Sequence, residues 1–400
     1  MRTLLRYCLF LPFLAAAVFA AAPVRKLGVV DVAVDKDAIA VRVSSNNPEL
    51  NSLAIIAFRS HGRYIVRATD YSYDLRFTHL GGNQVKLDIL RGRENAIAFS
   101  ETVSGTSPRN ALLRAADIAV GKTNGLGLRG FFTARLAFVG EGSGKKEIYV
   151  SDLFMGEAKR VTNDRALVLS PRWSPDGSRL VYTSYFQSGF PDIYMINMRS
   201  FDRSIYARFK GTNSGARFSP NGQQIAMVLS SSGTPEIWVG GAQGGLPVRR
   251  TRSDAVKSSP CWSPDGAQLV FAMEPGPQLY VMPAAGGTPR RLATGYRYTA
   301  EPDWSRAKPN LIACTVREGS RFQVAVYDSS KGSAQIVSQA AFDGIEPSWL
   351  ADGRHLLYTA RDRTTSVLCI LDTETGRSTP ITTNSGPIGS AMQASVLNAN

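Results

Sequence analysis

The chain has 400 residues, 44% of them hydrophobic and 20% charged, a balance that excludes an intrinsically disordered chain. Gly 36 and Pro 21 are too few for a collagen-like or low-complexity protein, and Cys 4 without a CxxC pair excludes a disulfide scaffold or a cysteine zinc site. Three His leave little room for a His-rich metal site, so the net charge of +14 is the one compositional oddity.

The first 22 residues read as a secretory signal peptide. Arg2 and Arg6 form a positive start, Leu9 to Phe19 is apolar but too short to span a bilayer, and Ala20 to Ala22 offer small-residue cleavage sites. The competing reading is a retained membrane anchor. Removing the segment deletes two Arg and no acid, which leaves +12. No later segment has 18 uninterrupted apolar residues, so the mature chain is expected to be soluble and periplasmic, peripheral to the envelope and not membrane-spanning. Cys8 goes with the leader. Cys261, Cys314 and Cys369 each sit in apolar runs and read as buried free thiols, with a disulfide as the other reading.

Residues 23–130 are predicted to form a small mixed α/β domain. KLGVVDVAV, RYIVRA, VKLDIL and NAIAFSETV read as strands, Pro48 to Arg59 as a helix, and Pro108 to Gly121 as a second helix with Ser107 as its N-cap. Gly125-Leu-Gly127-Leu-Arg-Gly130 matches GxGxxG, but it follows a helix and precedes a strand. A phosphate-binding loop needs the opposite order, so the segment reads as a linker.

From there a repeat dominates. Trp173-Ser-Pro-Asp-Gly177 recurs as Phe218-Ser-Pro-Asn-Gly222 and Trp262-Ser-Pro-Asp-Gly266, then as a degraded version from Trp304 to Asn310, and as Trp349-Leu-Ala-Asp-Gly353. The leading aromatics are 45, 44, 42 and 45 residues apart, the period of one four-stranded propeller blade. The aromatic is expected to end an inner strand and pack between blades, with Pro, Asp and Gly making the turn to the next strand. Upstream, ARLAFV, KEIYVSD and AKRVT look like second, third and fourth strands without an inner one. Ser390 to Val396 is expected to supply it, closing a six-bladed β-propeller over residues 131–400; the alternative is five blades with an unpaired tail. The fold class is therefore mainly β, a propeller preceded by the α/β domain.

No GxSxG elbow, P-loop or HExxH occurs, and no cofactor or metal is expected. His61, His79 and His355 read as surface or structural histidines. Glu301 and Asp303 stand beside an inner strand, where acceptors for loops or partners are expected before acid–base chemistry. A non-enzymatic binding module is the preferred class. Arg249, Arg250, Arg290 and Arg291 fall on expected outer strands, so most of the charge reads as a solvated rim and not as a nucleic-acid site.

The order of elements, the pentamers and the junction RNALLRAADIAVGKTNGLGLRGFFTARLAFV together resemble the TolB family, periplasmic propeller proteins of the Tol–Pal envelope system. The resemblance covers nearly the full chain. It implies a monomer that binds a Pal-like outer-membrane lipoprotein on one end of the propeller and a TolA-like protein through the mature N-terminus. It also implies roles in outer-membrane integrity, cell division and protein import. The loops that would face the lipoprotein correspond to Asn213, Ser214, Gly215, Ala216, Arg217 and Ser258, with Glu301 and Glu346 equivalent in later blades and Arg172 adding charge beside Arg217. The bland reading of these residues is loop shaping. The family often has His where Asn213 stands and Pro where Arg217 stands, and Pro23 to Val34 does not match a TolA-binding segment. The alternative function is a secreted propeller of this type that holds another envelope protein, a glycan or a small ligand in its channel.

Overall fold

The computed structural model describes residues 37–92, 96–124 and 128–397. The signal segment, the mature N-terminus, the strand expected in KLGVVDVAV and the core of the GxGxxG segment lie outside the described residues. Among the described residues no helix is long and apolar enough to cross a membrane.

The chain first builds a five-stranded sheet from β1 (Ile39–Ser45), β2 (Tyr64–Val66), β3 (Tyr73–Gly81), β4 (Gln84–Arg91) and β5 (Ala96–Ser104), in the order β2-β1-β3-β4-β5. β1 runs parallel to β2 and β3, and the remaining pairs are antiparallel. Helix α1 (Pro48–Ser60) starts where Asn47 accepts hydrogen bonds from the Glu49 and Leu50 amides, with Pro in the first turn. Its buried Leu50, Leu53, Ala54, Ala57 and Phe58 repeat at helical spacing and form one face. Helix α2 (Pro108–Thr123) is capped by Ser107, whose hydroxyl accepts from the Asn110 amide at 3.1 Å. Both helices sit where the sequence predicts them.

Six four-stranded sheets follow. In blade 1 the strands are Val168–Trp173, Arg179–Ser184, Asp192–Asn197 and Arg203–Ala207, ordered from the channel outwards. Blades 2 to 5 repeat this from inner strands Asn213–Phe218, Lys257–Trp262, Thr299–Trp304 and Asp343–Trp349. Blade 6 combines the inner strand Ala391–Leu397 with Arg135–Gly140, Glu147–Asp152 and Lys159–Arg160, so residues from both ends of the propeller share one sheet.

The pentamer works as a turn. Gly177 has φ 69° and returns its amide to the Ser174 carbonyl, while the Asp176 carboxylate accepts from the Ser174 hydroxyl and the Ser178 amide. The aromatics join neighbouring blades. The Trp262 indole donates to the Arg217 carbonyl, and the Trp349 indole to the Asp303 carbonyl, each at 3.0 Å. Apolar clusters accordingly span adjacent blades, as where Trp262, Leu269 and Phe271 pack on Ile237 and Val239. Cys261, Cys314 and Cys369 are buried free thiols.

The α/β sheet and helices share one core with blades 5 and 6, through Phe58, Phe131, Phe132, Leu136, Leu357 and Ile370 among others. Arg109 on α2 pairs with Asp152 of blade 6, and Asp117 accepts the amides of Phe132 and Thr133. These contacts lie at the turns between first and second and between third and fourth strands, so the α/β part covers the end of the propeller where inner strands finish. Among the described residues, this part of the chain does not cover the opposite end, where inner strands begin.

Candidate functional site

All six inner strands line the central channel and run in the same direction, so the channel has a start mouth and a far mouth. Each strand is interrupted by a β-bulge, seen as a register shift against its second strand. Each bulge holds one residue in the left-handed region: Ser170, Gly215, Ser259, Glu301, Glu346 and Gln393, with φ between 53° and 63°. Only Gly215 adopts this conformation without a Cβ penalty.

These residues form a ring just inside the start mouth. Around blades 4 to 6 they are cross-linked. The Glu301 carboxylate accepts from the Thr315 hydroxyl at 2.6 Å and from the Glu346 amide of the next blade at 3.0 Å. The Glu346 carboxylate accepts from the Thr359 hydroxyl and from the Gln393 side-chain amide, at 2.9 and 2.8 Å. The Gln393 carbonyl oxygen accepts from the Ser170 amide at 2.8 Å. Burial, and then the neighbouring Glu346 carboxylate, push the Glu301 carboxyl up to about 7.

Two residues deeper lies a second ring: Arg172, Arg217, Cys261, Asp303, Ser348 and Ser395. Arg217 makes an ion pair with Asp303, whose other oxygen accepts the Trp349 amide at 2.6 Å. Burial works against the Arg217 charge, but Asp303 more than offsets it and raises the guanidinium above its usual range. Among the described residues Arg172 makes no ion pair: burial first, and Arg217 second, push it down to about 10. With Arg306 these side chains line a cavity of about 60 Å³ towards the far mouth.

The structure thus sorts the residues that the sequence groups together. Ser214, Gly215, Glu301 and Glu346 are half-buried and Ser258 is exposed, all at the start mouth. Asn213 is 0% exposed; its amide donates to the carbonyls of Phe209, Pro191 and Gly211, and its oxygen accepts the Phe209 amide. It shapes the loop and cannot present its side chain to a partner. Ala216 is buried behind the bulge. Arg172 and Arg217 sit in the lower ring and not beside the start mouth, because the bulge residue intervenes and strand alternation carries them inward.

Sequence reasoning missed the apolar rim. Leu167, Phe186, Phe190, Val256 and Phe342 are large hydrophobics between 38% and 68% exposed. Leu167, Val256 and Phe342 immediately precede inner strands, and Phe186 and Phe190 lie between the second and third strands of blade 1. Strand direction puts all five on the start-mouth face. A recess of about 450 Å³ on the same face is lined by Glu141, Lys145, Lys146, Arg165 and Leu167.

One other cluster brings ligand-type atoms together. His61 at the end of α1 meets His355 and Asp352 of blade 5, with those atoms within 4.8 Å of one another. The His61 and His355 rings stand 4.5 Å apart edge to face, and both pack on Phe131. His355 Nδ1 is in addition engaged by Asp352 at 2.6 Å. The cluster joins the α/β part to the propeller, and the Nε2 atoms of His61 and His355 are buried without a hydrogen-bond partner among the described residues. Burial, and then His355, hold the His61 imidazole well below its usual range, so it is neutral.

A family model described as the TolB beta propeller domain matches residues 125–394. The chain is 33% identical over 226 residues to the Tol-Pal system protein TolB of Bordetella pertussis, and 32% to that of Bordetella parapertussis. Each alignment covers 56% of this chain and 49% of the relative, so the chain spans about half the length of the curated relatives it matches. Among solved structures, TolB from Acinetobacter baumannii aligns with a TM-score of 0.78 at 22% identity, covering 92% of this chain and 98% of that one. A chain of a nidogen/laminin complex aligns at 0.53 and 14% identity over 66% of this chain and 98% of that chain. These two likenesses show the fold alone. The family model takes in well over half of the residues and every blade of the ring, and on that ground the chain belongs to the TolB family.

Proposed function

We propose that this chain is a non-enzymatic periplasmic scaffold of a Tol–Pal-type system, and that its start-mouth face docks a peptidoglycan-associated outer-membrane lipoprotein. The observation that carries the reading is the apolar rim. Five exposed large hydrophobics ring a polar channel mouth on the end of the propeller that the α/β part leaves uncovered. Such a patch rimmed by polar groups suits a protein interface. Ser214, Gly215, Ser258, Glu301 and Glu346 supply polar contacts at its centre, while Asn213 and Ala216 hold the loop in shape. The work follows from the docking: a tether between envelope layers supports outer-membrane integrity, cell division and protein import. In this reading residues 1–22 are the export signal, 23–130 the N-terminal domain and 131–400 the propeller.

Purified full chain, immobilised and presented with the peptidoglycan-binding domain of the lipoprotein from the same cell, tests this. Saturable binding that Phe190→Ser weakens about tenfold or more, with an unchanged melting temperature, is the expected result. No binding at high micromolar concentration, or binding indifferent to Phe190→Ser and Val256→Ser together, would overturn it.

A further inference from the structure

The lower ring of the channel carries more positive charge than its own residues balance. At this position three blades use the side chain to hold the next blade. Cys261 accepts the Trp304 amide at 3.3 Å, Asp303 the Trp349 amide at 2.6 Å, and Ser395 the Trp173 amide at 3.4 Å. Blades 1 and 2 place Arg172 and Arg217 there instead, and a guanidinium has no acceptor to offer. Arg306 joins them from the degraded pentamer of blade 4, where Arg-Ala-Lys-Pro replaces Pro-Asp-Gly.

Three guanidiniums therefore meet one carboxylate within this ring, that of Asp303, which Arg217 occupies, while Glu346 of the ring above acts on Arg172 without bonding it. Among the described residues no carboxylate bonds Arg172 or Arg306. The side-chain hydrogen bond of Arg172 goes to the carbonyl of its own neighbour Pro171, at 3.0 Å. Desolvated charges are ordinarily paired. Here Arg172 is left largely enclosed and Arg306 approaches the same cavity from its exposed side, and the cavity's volume of about 60 Å³ suits one small group and not a sugar or a folded segment. Ser348 borders the same space and adds a hydroxyl donor.

We propose that this cavity is an oxyanion site: it holds a single carboxylate or phosphate group between Arg172 and Arg306, with Arg217 fixed alongside by Asp303. Guanidinium groups match both oxyanions through paired N–H donors. The depressed affinity of Arg172 for its proton, caused by burial and by Arg217, shows that Asp303 and Glu346 do not offset its enclosure. The site lies below the bulge ring, so it is separate from the rim that docks the lipoprotein and does not depend on that reading.

The experiment titrates the full chain with inorganic phosphate and, separately, with acetate, at constant ionic strength set with chloride, by calorimetry and by thermal melting. Saturable binding with a rise in melting temperature is expected. Arg172→Gln and Arg306→Gln should each weaken it about tenfold or more. Arg172→Gln should also leave the anion-free melting temperature unchanged or higher, because it removes an unbalanced charge; a purely structural arginine would lower it. Arg290→Gln on the exposed outer strand of blade 3 should change nothing. Tighter phosphate than acetate assigns a phosphate-bearing ligand, and the reverse a carboxylate. Absence of saturation with both anions, or equal affinity in wild type, Arg172→Gln and Arg306→Gln, overturns the proposal. Should Arg172→Gln not fold, Arg306→Gln, whose side chain is largely exposed, decides alone. Lipoprotein docking is measured without added anion, so either idea can fail while the other stands.

Discussion

Replacing Glu301 by Gln should stabilise this protein at alkaline pH and do little at acid pH. Glu301 is placed where ionisation is costly, since it is enclosed by the inner strands and faces the Glu346 carboxylate. Each tenfold change in proton affinity is about 1.4 kcal/mol. Displacement from 4.5 to about 7 therefore sets an upper bound of roughly 3 kcal/mol on the stability lost by pH 8. Channel water screens part of this, and about 1–2 kcal/mol is the expected gain. The sign follows from the direction: a carboxyl whose folded-state value is raised contributes its full stability below about 4.5 and loses it as pH rises through about 7. The substitution preserves the local bonds. A carboxamide oxygen can still accept from Thr315 and the Glu346 amide, and its NH₂ can donate to Glu346. Gln393 already does this one blade on, donating to Glu346 at 2.8 Å while its oxygen accepts the Ser170 amide. Urea unfolding of both proteins at pH 5, 6, 7 and 8 is the assay. A difference near zero at pH 5 that grows towards pH 8 supports the account. A variant less stable at pH 8, or a difference that ignores pH, refutes it.

Trp262→Ala should cost about 3–5 kcal/mol, since it removes a buried aromatic that packs between blades 2 and 3 and donates to the Arg217 carbonyl; a loss below 1 kcal/mol in chemical denaturation would contradict that packing. Deleting Ala391–Leu397 leaves the strand Arg135–Gly140 unpaired on its channel side, so the melting temperature should fall and the protein should self-associate through the open edge; an unchanged melt and a monomeric elution profile would contradict it. His61 is held neutral by burial beside His355, with Asp352, Arg354 and Asp372 around it, so the unfolded chain takes up a proton first. Stability should be complete above about 6.5 and fall as pH drops below it, by at most about 1.4 kcal/mol per pH unit; His61→Phe should flatten that slope, and an unaltered slope would exclude His61 as its source.

The blades were legible because each needs the same turn, and a turn has few chemical solutions. Helix α2 was legible from Ser107, Pro108 and the spacing of Leu112, Leu113 and Ala116, which its buried face repeats. Strands β1 and β3 were not. Their sequences, IAVRVSS and YDLRFTHLG, carry Arg42, Arg76 and His79 at half-buried positions and bury Asp74 in ion pairs with both arginines, so polar residues interrupt the apolar alternation of each strand. The bulge ring left no composition signal. Ser, Gly, Glu and Gln share the left-handed site because the backbone there is fixed by closure of the ring and not by residue type. The apolar rim was hidden for a different reason: Leu167, Phe190, Val256 and Phe342 stand in separate loops, and only the ring brings them to one face. Arg306 escaped because the degraded pentamer looked like a lost turn, whereas it delivers a side chain to the channel.

The two halves of the start mouth differ in a way that fixes where a partner should sit. From blade 4 to blade 1 the bulge residues are tied to one another: Glu301 to the Glu346 amide, Glu346 to Gln393, and Gln393 to the Ser170 amide. Those ties offset the cost of about 1–2 kcal/mol for each non-glycine residue held in the left-handed region. In blades 2 and 3 the ring has Gly215 and Ser259, whose side chains make no such tie among the described residues. Val256 stands exposed just before blade 3, Leu167, Phe186 and Phe190 belong to blade 1, the last tied blade and the neighbour of blade 2, and Phe342 lies within the tied side. Rigid, self-satisfied blades thus face loosely committed ones across one mouth, and a partner centred on blades 2 and 3 gains hydrogen bonds there and apolar burial on Val256 and across the seam to blade 1. A photo-crosslinking residue at Ser214 or Ser258 should therefore capture the lipoprotein, and one at the exposed Thr364, between the second and third strands of blade 5, should not. Capture from Thr364 with none from Ser214 or Ser258 would show that the tied side is the interface and that open hydrogen-bonding capacity does not select it.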